Sequence, residues 1–353
     1  MKQKKNILVA PLHWGLGHAT RCIPIIQALL NSDYRVTLAS DGAALALLKM
    51  EFPSLESLEL PSYNIQYSRK GAFLKMKLLF SLPQIRRTIS EEKKLINGLV
   101  KNGKIDGIIS DNRLGVYSNK VPSVFITHQL NVLSGNTSWL SSKAHQRIIM
   151  KFNECWVPDI DGPGSLSGKL GHLKRHRFPV KYIGPLSRMK PQKVPVKYDI
   201  LCLLSGPEPQ REMLEKRLIN CLRNSGKKVV IVRGVVEEVI RKQEDSNLTI
   251  INFLPSEELE KNINESDLVI CRSGYTSIMD LAIMGKKAFL IPTPGQYEQQ
   301  YLAKRLASKK WVPYCKQEDF NLAKLDMVSN YKGLQAYPSN KNLEHLFRLF
   351  ERE

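Results

Sequence analysis

The chain has 353 residues, of which 42% are hydrophobic and 24% are charged, a balance typical of globular domains. This composition excludes a disordered tail protein, a fibrous repeat and a disulfide-stapled miniprotein, and the length predicts about two domains. Lysine and arginine number 53 against 33 aspartates and glutamates, which gives a formal charge of +20. We therefore expect an anionic partner, whether nucleic acid, acidic membrane or phosphorylated substrate.

The sequence has no membrane-spanning segment and no cysteine motif for metal or redox chemistry. No stretch of about 18 consecutive apolar residues occurs. The basic start of the chain is followed by a short apolar run, Ile7–Ala10, which favours a first strand over a signal peptide. The six cysteines show no C-x-x-C spacing, so we expect them to be reduced thiols in the cytoplasm.

The first half of the chain alternates short apolar runs with segments of helical length. Predicted strands are Asn6–Ala10, Arg35–Ala39, Gly107–Ile109, Ser123–Ile126 and Glu154–Val157. Predicted helices are Arg21–Asn31 and Ser90–Lys101. The runs are continuously apolar rather than alternating, as in strands that are buried on both faces of a parallel sheet.

The second half repeats this pattern. Its predicted strands are Ile200–Leu204, Lys228–Val232, Thr249–Asn252, Leu268–Ile270 and Ala288–Ile291. Its predicted helices are Gln210–Asn224, Glu257–Asn264, Thr276–Met284 and Gln299–Ser308. Strands and helices that alternate in both halves predict an α/β protein with two doubly wound domains.

A polar segment rich in lysine and proline, residues 187–197, separates the two halves. We predict a first domain over residues 1–186, this linker, and a second domain over residues 198–339. The last segment, Asn340–Glu353, has apolar residues at spacings of three and four. This spacing predicts an amphipathic helix that packs back on the first domain.

The loop after the first strand contains Gly15, Gly17 and His18 and leads into a helix. Glycines permit close approach of a ligand, and the free amides at a helix start suit an anion or a polar group. Thr20 stands where a full G-x-G-x-x-G motif would have its third glycine. His18 at the helix start favours a neutral imidazole, as a general base requires, or it hydrogen-bonds only to a loop carbonyl.

A second group of candidate residues follows three strands of the second half. The turn Arg272–Ser277 opens a helix whose free amides suit a phosphate, and Asp280 lies about one turn later, within reach of a ribose diol. Ser205 and Gly206 follow the first strand of this half, and Gln299 and Gln300 follow the last. Ordinary helix capping is the alternative for each feature taken alone.

These residues resemble motifs of the GT-B glycosyltransferases of family 28, the MurG-like UDP-N-acetylglucosamine transferases. The match covers Cys271 to Gly274, Asp280, Gly285, Pro292, Gln299 and Gln300. The segments Gly15–His18, Thr127–Gln129 and Gly184–Arg188 are similar to further motifs of the family. A little-characterised bacterial and archaeal branch resembles the chain at Trp14–Arg21, Ser110–Arg113 and Cys155–Asp159.

The resemblance implies a GT-B fold, with two Rossmann-like domains facing across a cleft. The first domain then takes the acceptor and the second takes a UDP-sugar. Implied donor-binding residues are Arg188, Ser205, Gly206, Arg272, Ser273, Gly274, Tyr275, Thr276, Ser277, Asp280, Gln299 and Gln300. Implied acceptor-side residues are Gly15, Gly17, Thr20, Arg21, Arg113 and His128.

The predicted function is an inverting transfer of a sugar, N-acetylglucosamine being expected, from a UDP-sugar to a cell-envelope glycan or lipid-linked acceptor. His18 takes the proton of the acceptor hydroxyl, with Asp111 as the alternative base. Arg272 or Arg188, together with helix amides, stabilises the departing diphosphate. Asp111 and Arg113 pair with each other in a further alternative.

No metal ion or other cofactor is expected, with the UDP-sugar acting as co-substrate. Asp159 and Asp161 mimic a D-x-D metal motif, but they follow a strand of the first domain and lack a donor site around them. Two other functions stay open. One is a nucleotide-sugar epimerase or hydrolase, for which Glu298 and Asp111 are the candidate carboxylates. The other is a non-catalytic UDP-sugar-binding protein.

The stretch Tyr67–Arg87 mixes six cations with bulky apolar residues. This mixture suits an anionic membrane surface or a lipid-linked acceptor, and a solvated helix face over a core contact is the alternative. A second basic run covers Lys169–Lys181. No RRM, KH or helix-turn-helix signature occurs, so nucleic acid is not expected as a partner. We expect a cytoplasmic protein that is peripheral on the inner face of the membrane.

Overall fold

The structure, a computed structural model, describes residues 4–63, 82–206, 208–235, 237, 239–334, 337 and 343–351. The chain divides into two units. The first unit holds the described residues up to Arg188 together with residues 343–351, and the second holds those from Met189 to Tyr337. The division falls within the lysine- and proline-rich segment 187–197, which forms neither helix nor strand.

The first unit is built on a parallel sheet of seven strands in the order β3-β2-β1-β4-β5-β6-β7. The strands are β1 Asn6–Pro11, β2 Arg35–Ser40, β3 Glu56–Glu59, β4 Gly107–Asp111, β5 Ser123–Ile126, β6 Glu154–Val157 and β7 Val180–Tyr182. Every residue of β1, β4 and β5 is buried, which explains their unbroken apolar runs.

The described residues of this unit form four longer helices and one short helix. They are α1 Gly17–Asn31, α2 Gly42–Glu51, α3 Leu82–Lys101, α4 Ser138–Ile149 and α9 Arg348–Glu351. Helix α1 connects β1 to its parallel neighbour β2, as the crossover between parallel strands requires. The carboxyl ends of β1, β2 and β4 therefore lie side by side, and the loops that follow them meet.

The second unit contains a six-stranded sheet in the order β10-β11-β9-β8-β12-β13, parallel except for β10. The strands are β8 Tyr198–Leu203, β9 Val229–Val232, β10 Lys242–Asp245, β11 Leu248–Ile251, β12 Ser266–Cys271 and β13 Lys287–Leu290. The helices are α5 Gln210–Leu222, α6 Ser256–Asn264, α7 Tyr275–Met284 and α8 Tyr297–Ser308. Strands β8, β12 and β13 are neighbours, so the loops after them share one edge.

All ten predicted strands are present, and they form two parallel sheets as predicted. Three strands were not predicted: β3, β7 and β10. Each is the outermost strand of its sheet. Strands β3, Glu56–Glu59, and β10, Lys242–Asp245, are largely polar, and β7, Val180–Tyr182, has only three residues. Edge strands are commonly short and charged, so a search for apolar runs identifies only the inner strands.

The end of the chain packs on the first unit. Instead of one helix over 340–353, the described residues form a 3₁₀ turn, Glu344–Leu346, followed by α9. The rings of Phe347 and Phe350 are buried, and both lie near Tyr34 and Trp156, with ring centroids 5.9 to 6.5 Å apart. These aromatic contacts hold the last segment against the sheet.

No described helix is both long enough and apolar enough to cross a membrane. Residues 67–81 of the basic, apolar stretch Tyr67–Arg87 lie outside the described residues. Its last residues, 82–87, form the first turns of α3. The expectation of a membrane surface at this stretch stays a prediction.

Candidate active site

A buried group of charged residues lies where β4 of the first unit ends. Asp111 is the last residue of β4, and its carboxylate is fully buried. Helix α1 brings two residues to it. His18 Nδ1 lies 2.8 Å from Asp111 Oδ1, and the Arg21 guanidinium pairs with both carboxylate oxygens. The spacing of three residues places both side chains on one face of the helix.

Asp111 is an ionised carboxylate at neutral pH. Burial alone would raise its pKa, but the charges of Arg21 and His18 and the hydrogen bonds from both overcome burial. They hold the pKa of Asp111 well below its usual range. A fully buried carboxylate with such a pKa is a poor general base and has no access to a substrate. Asp111 therefore orients His18 rather than replacing it.

His18 has the properties of a neutral base. Burial lowers its pKa below the usual value; Asp111 opposes this shift, and Arg21 adds to it. Two groups meet Nδ1: Asp111 Oδ1, which only accepts, at 2.8 Å, and Arg21 Nη2, which only donates, at 2.9 Å. We assign the imidazole proton to Nδ1, donated to Asp111, because Arg21 Nη2 already donates to the same carboxylate. Nε2 then carries the free lone pair. The side chain is 15% exposed, which leaves the ring within reach of a small polar group.

Two further histidines extend the group. His128 follows β5, and its Nδ1 lies 3.1 Å from Arg21 Nη1. His145 of α4 packs edge-on against Phe125, and its Nε2 has no hydrogen-bond partner among the described residues. Burial, with a smaller effect of His128, lowers the pKa of His145 to about 4. His145 gave no signal in the sequence, because a lone histidine in a polar helix is unremarkable there.

Arg113 belongs to a neighbouring network and does not pair with Asp111. Its guanidinium binds Asp41 after β2 and Glu92 of α3, at 2.7 Å from the Glu92 carboxylate. Tyr63 donates to Glu92 at 2.7 Å. The alternative that Asp111 and Arg113 pair with each other is therefore wrong. Glu92 was not predicted, because its position in a charged helix resembles a solvated face.

The remaining acceptor-side residues shape the first loop. Gly15 adopts a positive φ of 80°, which favours glycine, and no atom lies within 4 Å of the position of a Cβ. Gly17 is the first residue of α1, and Thr20 Oγ1 donates to its carbonyl at 3.1 Å. The hydroxyl of Thr20 is thus used inside the helix.

In the second unit, the predicted donor loop follows β12 and opens α7. Gly274 precedes the helix with an ordinary φ of −69°, and a Cβ there would meet no atom within 4 Å. Neither conformation nor space inside the chain requires glycine at this position. The first residues of α7 are Tyr275, Thr276 and Ser277, whose amides at a helix start are suited to an anion.

Arg272, one of the residues expected to stabilise the diphosphate, is a buried anchor whose side chain bonds to other parts of the chain. The guanidinium is 0% exposed and donates to the carbonyls of Ile291, Pro292 and Gln210 and to Gln317 Oε1, at 2.7 to 3.3 Å. It ties together the segments that follow β12, β13 and β8. Burial lowers its pKa to about 10, so the group stays charged at neutral pH.

The side chains of Ser273 and Gln299 also form hydrogen bonds within the loops that follow β12 and β13. Ser273 Oγ donates to the Gln299 carbonyl at 2.8 Å. Gln299 Oε1 accepts from the Thr293 amide at 2.8 Å, and its Nε2 donates to Gln296 at 2.6 Å. The side chains of Ser273 and Gln299 are thus engaged within the loops, whereas the neighbouring Gln300 is exposed.

The other predicted donor residues lie at three places. Ser205 and Gly206 are exposed after β8, with Gly206 at a φ of 96°. Asp280 is half-buried in the second turn of α7. Arg188 belongs to the first unit, where it contacts Glu51 at 3.1 Å.

The D-x-D-like pair is part of a loop. Asp159 is fully buried and accepts hydrogen bonds from the amides of Ile160, Leu166 and Ser167 at 2.8 to 2.9 Å. Asp161 is 79% exposed. Across the described residues, no group of three or more histidines, cysteines or acidic residues has a geometry that could hold a metal ion.

Comparisons with known proteins agree with these features. Residues 211–341 match the model of the glycosyltransferase family 28 C-terminal domain. An uncharacterized glycosyltransferase of Methanosarcina acetivorans is 24% identical over 308 residues, which cover 81% of this chain and 79% of the relative. The N-acetylglucosamine transferase of Pasteurella multocida that acts on N-acetylmuramyl-(pentapeptide) pyrophosphoryl-undecaprenol is 25% identical over 340 residues, 93% of this chain and 88% of that enzyme.

Among solved structures, Acinetobacter baumannii MurG superposes with a TM-score of 0.56 at 16% identity, covering 99% of this chain and all of that one. At this identity the likeness concerns the fold. This likeness of fold agrees with the two parallel sheets and with the family model that matches the second unit. The chain therefore carries a glycosyltransferase family 28 C-terminal domain and is a glycosyltransferase with the GT-B fold.

Proposed function

We propose that the protein is an inverting, metal-independent glycosyltransferase that uses a UDP-sugar. Its acceptor is a hydroxyl of a cell-envelope glycan or of a lipid-linked saccharide. N-acetylglucosamine is the expected sugar, supported by distant relatives that are UDP-N-acetylglucosamine transferases. The observation that carries the proposal is the buried group of His18, Asp111 and Arg21. We also propose a cytoplasmic location, peripheral on the inner face of the membrane.

The geometry of the group supports His18 as the general base. Asp111 fixes the proton on Nδ1, so Nε2 presents a lone pair to an acceptor hydroxyl. The lowered pKa of His18 keeps that lone pair available at neutral pH. Arg21 neutralises Asp111, which limits how far the carboxylate raises the imidazole pKa. As the hydroxyl proton moves to Nε2, Asp111 stabilises the imidazolium that forms.

A single displacement accounts for inversion. The acceptor oxygen forms a bond to the anomeric carbon as its proton passes to His18. The bond from that carbon to the diphosphate oxygen breaks, and UDP leaves with the electron pair. The amides at the start of α7 stabilise the added negative charge, because they point from a helix N-terminus with a positive partial charge. Asp280 is the proposed partner of the ribose diol, and Gln300 that of the donor sugar.

The open space at Gly274 supports a ligand at this loop. Inside the protein, alanine would fit there without strain. A diphosphate that approaches the backbone closely gives a reason for glycine. The epimerase or hydrolase alternative loses one of its two candidate carboxylates, because Asp111 is buried and paired with Arg21 and has no access to a sugar. Glu298 stays a candidate for it.

The test is thermal unfolding against UDP, UDP-N-acetylglucosamine, UDP-glucose and dTDP-glucose, each with and without EDTA. We expect selective stabilisation by UDP and its sugars that EDTA leaves unchanged. A ligand at 100 times its Kd adds about 2.7 kcal/mol to the free energy of unfolding. Gly274→Val should abolish the stabilisation, whereas Gly98→Val on an open face of α3 should preserve it. No response to any nucleotide would contradict the proposal.

A further inference from the structure

The first unit has a groove that the transfer reaction described above does not use. It has a volume of about 780 Å³. Helix α4 forms one wall, and the loops around Asn131 and around Arg175 form the others. We call it the basic groove, because five cations line it: Lys143, Arg147, Lys169, Arg175 and Arg177.

Three arginines of the basic groove have no acidic partner among the described residues. None of its lining residues is acidic. Arg147, Arg175 and Arg177 are exposed and form no ion pair with any residue that the structure describes. Cations that line a concave surface concentrate a positive potential there. Guanidinium groups also present paired donors that match carboxylates and phosphates.

In a cavity of the second unit, by contrast, the arginines are paired with carboxylates of the chain. It also has arginines in its wall, including Arg211 and Arg233. Both of these pair with Glu215, at 2.9 and 2.6 Å, and Glu237 lines the same cavity. Its positive charge is balanced from within the chain. Arg147, Arg175 and Arg177 of the basic groove have no such carboxylate partner among the described residues, which points to an anion supplied from outside.

The apolar lining of the basic groove consists of Leu133, Trp139, Met150 and Phe178, and Trp139 is the most exposed of them. Trp139 of α4 lines the groove and is 71% exposed. The Lys143 ammonium lies 5.1 Å from its ring centroid. A large exposed aromatic side chain beside polar groups is typical of binding surfaces. An indole face can contact the C–H face of a sugar ring, while neighbouring cations bind the anionic substituents of that sugar.

The polar wall favours a saccharide over a membrane. Asn131 and Gln146 line the groove, and their amide nitrogens donate to the carbonyls of Lys169 and Leu130 at 2.6 and 3.0 Å. These bonds fix both side chains in the wall. A concave surface with fixed amides and hydroxyls suits the many hydroxyl groups of a saccharide. A bilayer would instead need a projecting apolar face.

We propose that the basic groove binds an anionic glycan chain, with carboxylate or phosphate groups on its sugars. This chain is the acceptor side of the transfer, a step that rests on the proposed function. The cations hold the anionic groups, Trp139 contacts a sugar ring, and the chain end is left for reaction with the donor sugar. Binding itself requires no donor and is measured on its own.

The experiment is calorimetric titration of the full chain with hexagalacturonate and with a phosphorylated mannose oligosaccharide, at two salt concentrations. Fully methyl-esterified hexagalacturonate is the matched neutral probe. We expect at least tenfold tighter binding of an anionic probe than of the neutral one, with weaker binding at higher salt. The response to the two anionic probes distinguishes carboxylate from phosphate recognition.

Variants assign the binding to the groove. The double substitution Arg175→Ser and Arg177→Ser should weaken binding at least tenfold, and Trp139→Ala should weaken binding of charged and neutral probes alike. The matched control, Arg35→Ser with Arg348→Ser, removes the same charge from exposed positions of the same unit and should bind normally. All variants should keep the response to UDP, so failure of the groove proposal is distinct from failure of the donor proposal.

Three results would overturn the inference. One is equal affinity for hexagalacturonate and its methyl ester. Another is equal loss of binding in the control variant. The third is selective binding of phosphatidylglycerol vesicles or of single-stranded DNA, lost in the Arg175 and Arg177 variant, with no binding of the saccharides. That result would assign the groove to a membrane or to a nucleic acid.

Discussion

The two candidate sites handle buried charge in opposite ways. In the first unit, the buried guanidinium of Arg21 pairs with Asp111, and that of Arg113 pairs with Asp41 and Glu92. In the second unit, the buried guanidinium of Arg272 has only neutral oxygen acceptors among the described residues. In the first site the chain supplies a carboxylate partner for each buried guanidinium, whereas the second site keeps an uncompensated positive charge.

This difference matches the chemistry proposed for each unit. A general base needs a fixed proton position and a moderate pKa, and balanced ion pairs provide both. A site for a diphosphate needs positive potential without a competing internal carboxylate. An unpaired buried cation behind a loop of helix amides provides that potential. Substitutions that remove a charge from the first or the second unit test this difference.

The largest expected effect is that of His18→Ala on catalysis. Removal of the general base should lower kcat by about 10²–10⁴-fold, since proton transfer contributes that much to such reactions. The measurement is UDP release from UDP-N-acetylglucosamine with an acceptor found by screening envelope lipids. His345→Ala, an exposed histidine near the chain end, is the control and should retain full activity.

The pH profile checks the same assignment. Burial holds the pKa of His18 below its usual value. The wild-type kcat should therefore stay constant around neutral pH and fall only at pH values more acidic than those at which an ordinary histidine titrates. The thermal shift with UDP should be the same in His18→Ala as in the wild type. Full transfer activity of His18→Ala would rule out this residue as the base.

The second effect concerns stability. Asp111→Asn leaves the buried Arg21 guanidinium beside a neutral amide. Breaking a buried ion pair in this way costs about 3–5 kcal/mol of unfolding free energy. Denaturant unfolding measures the loss. Asp161→Asn, at an exposed carboxylate, should change stability by no more than about 0.5 kcal/mol.

A double substitution sharpens this result. Arg21→Met combined with Asp111→Asn removes both charges, so it should be less destabilising than the sum of the single changes. If the changes in unfolding free energy of the two single variants simply add up in the double variant, Arg21 and Asp111 are not coupled. The charge pairing inferred for the first unit would then be wrong.

The interior of the fold follows from local patterns, but the partners of the site residues do not. Continuous apolar runs identify strands that are buried on both faces, such as β1 and β4. The same criterion misses β3 and β10, which lie at sheet edges and carry charged residues. Sheet position is a tertiary property, so the sequence of an edge strand carries little information about it.

The site residues show the same division. Glycines and polar residues after an apolar run drew attention to the loop that holds His18, and the resemblance drew attention to Asp111, but their contact was not predicted. The choice of partner depended on contacts between distant segments: Arg113 binds Glu92, which lies 21 residues away on α3, and Arg272 binds Gln210, 62 residues away. Side-chain direction decides both contacts. Nothing in the spacing distinguished a diphosphate-contacting arginine from one that anchors loops.

The smallest expected effect tests whether Arg272 acts at a distance. Its guanidinium is buried and charged, so it can influence a diphosphate without touching it. A unit charge about 10 Å from another, through an effective dielectric of about 20, contributes roughly 1.7 kcal/mol. Arg272→Met should therefore weaken UDP binding by somewhat more than tenfold, as measured by calorimetry at a temperature where both proteins are folded.

Arg272→Lys separates charge from anchoring. Lysine keeps the positive charge but loses the planar fork that reaches the carbonyls of Ile291, Pro292 and Gln210. If charge acts through space, the lysine variant should unfold at a lower temperature than the wild type but keep most of its UDP affinity. Equal UDP affinity in Arg272→Met and the wild type would show that the amides of α7 suffice. Equal weakening in both variants would show that Arg272 acts only by holding the loops in place.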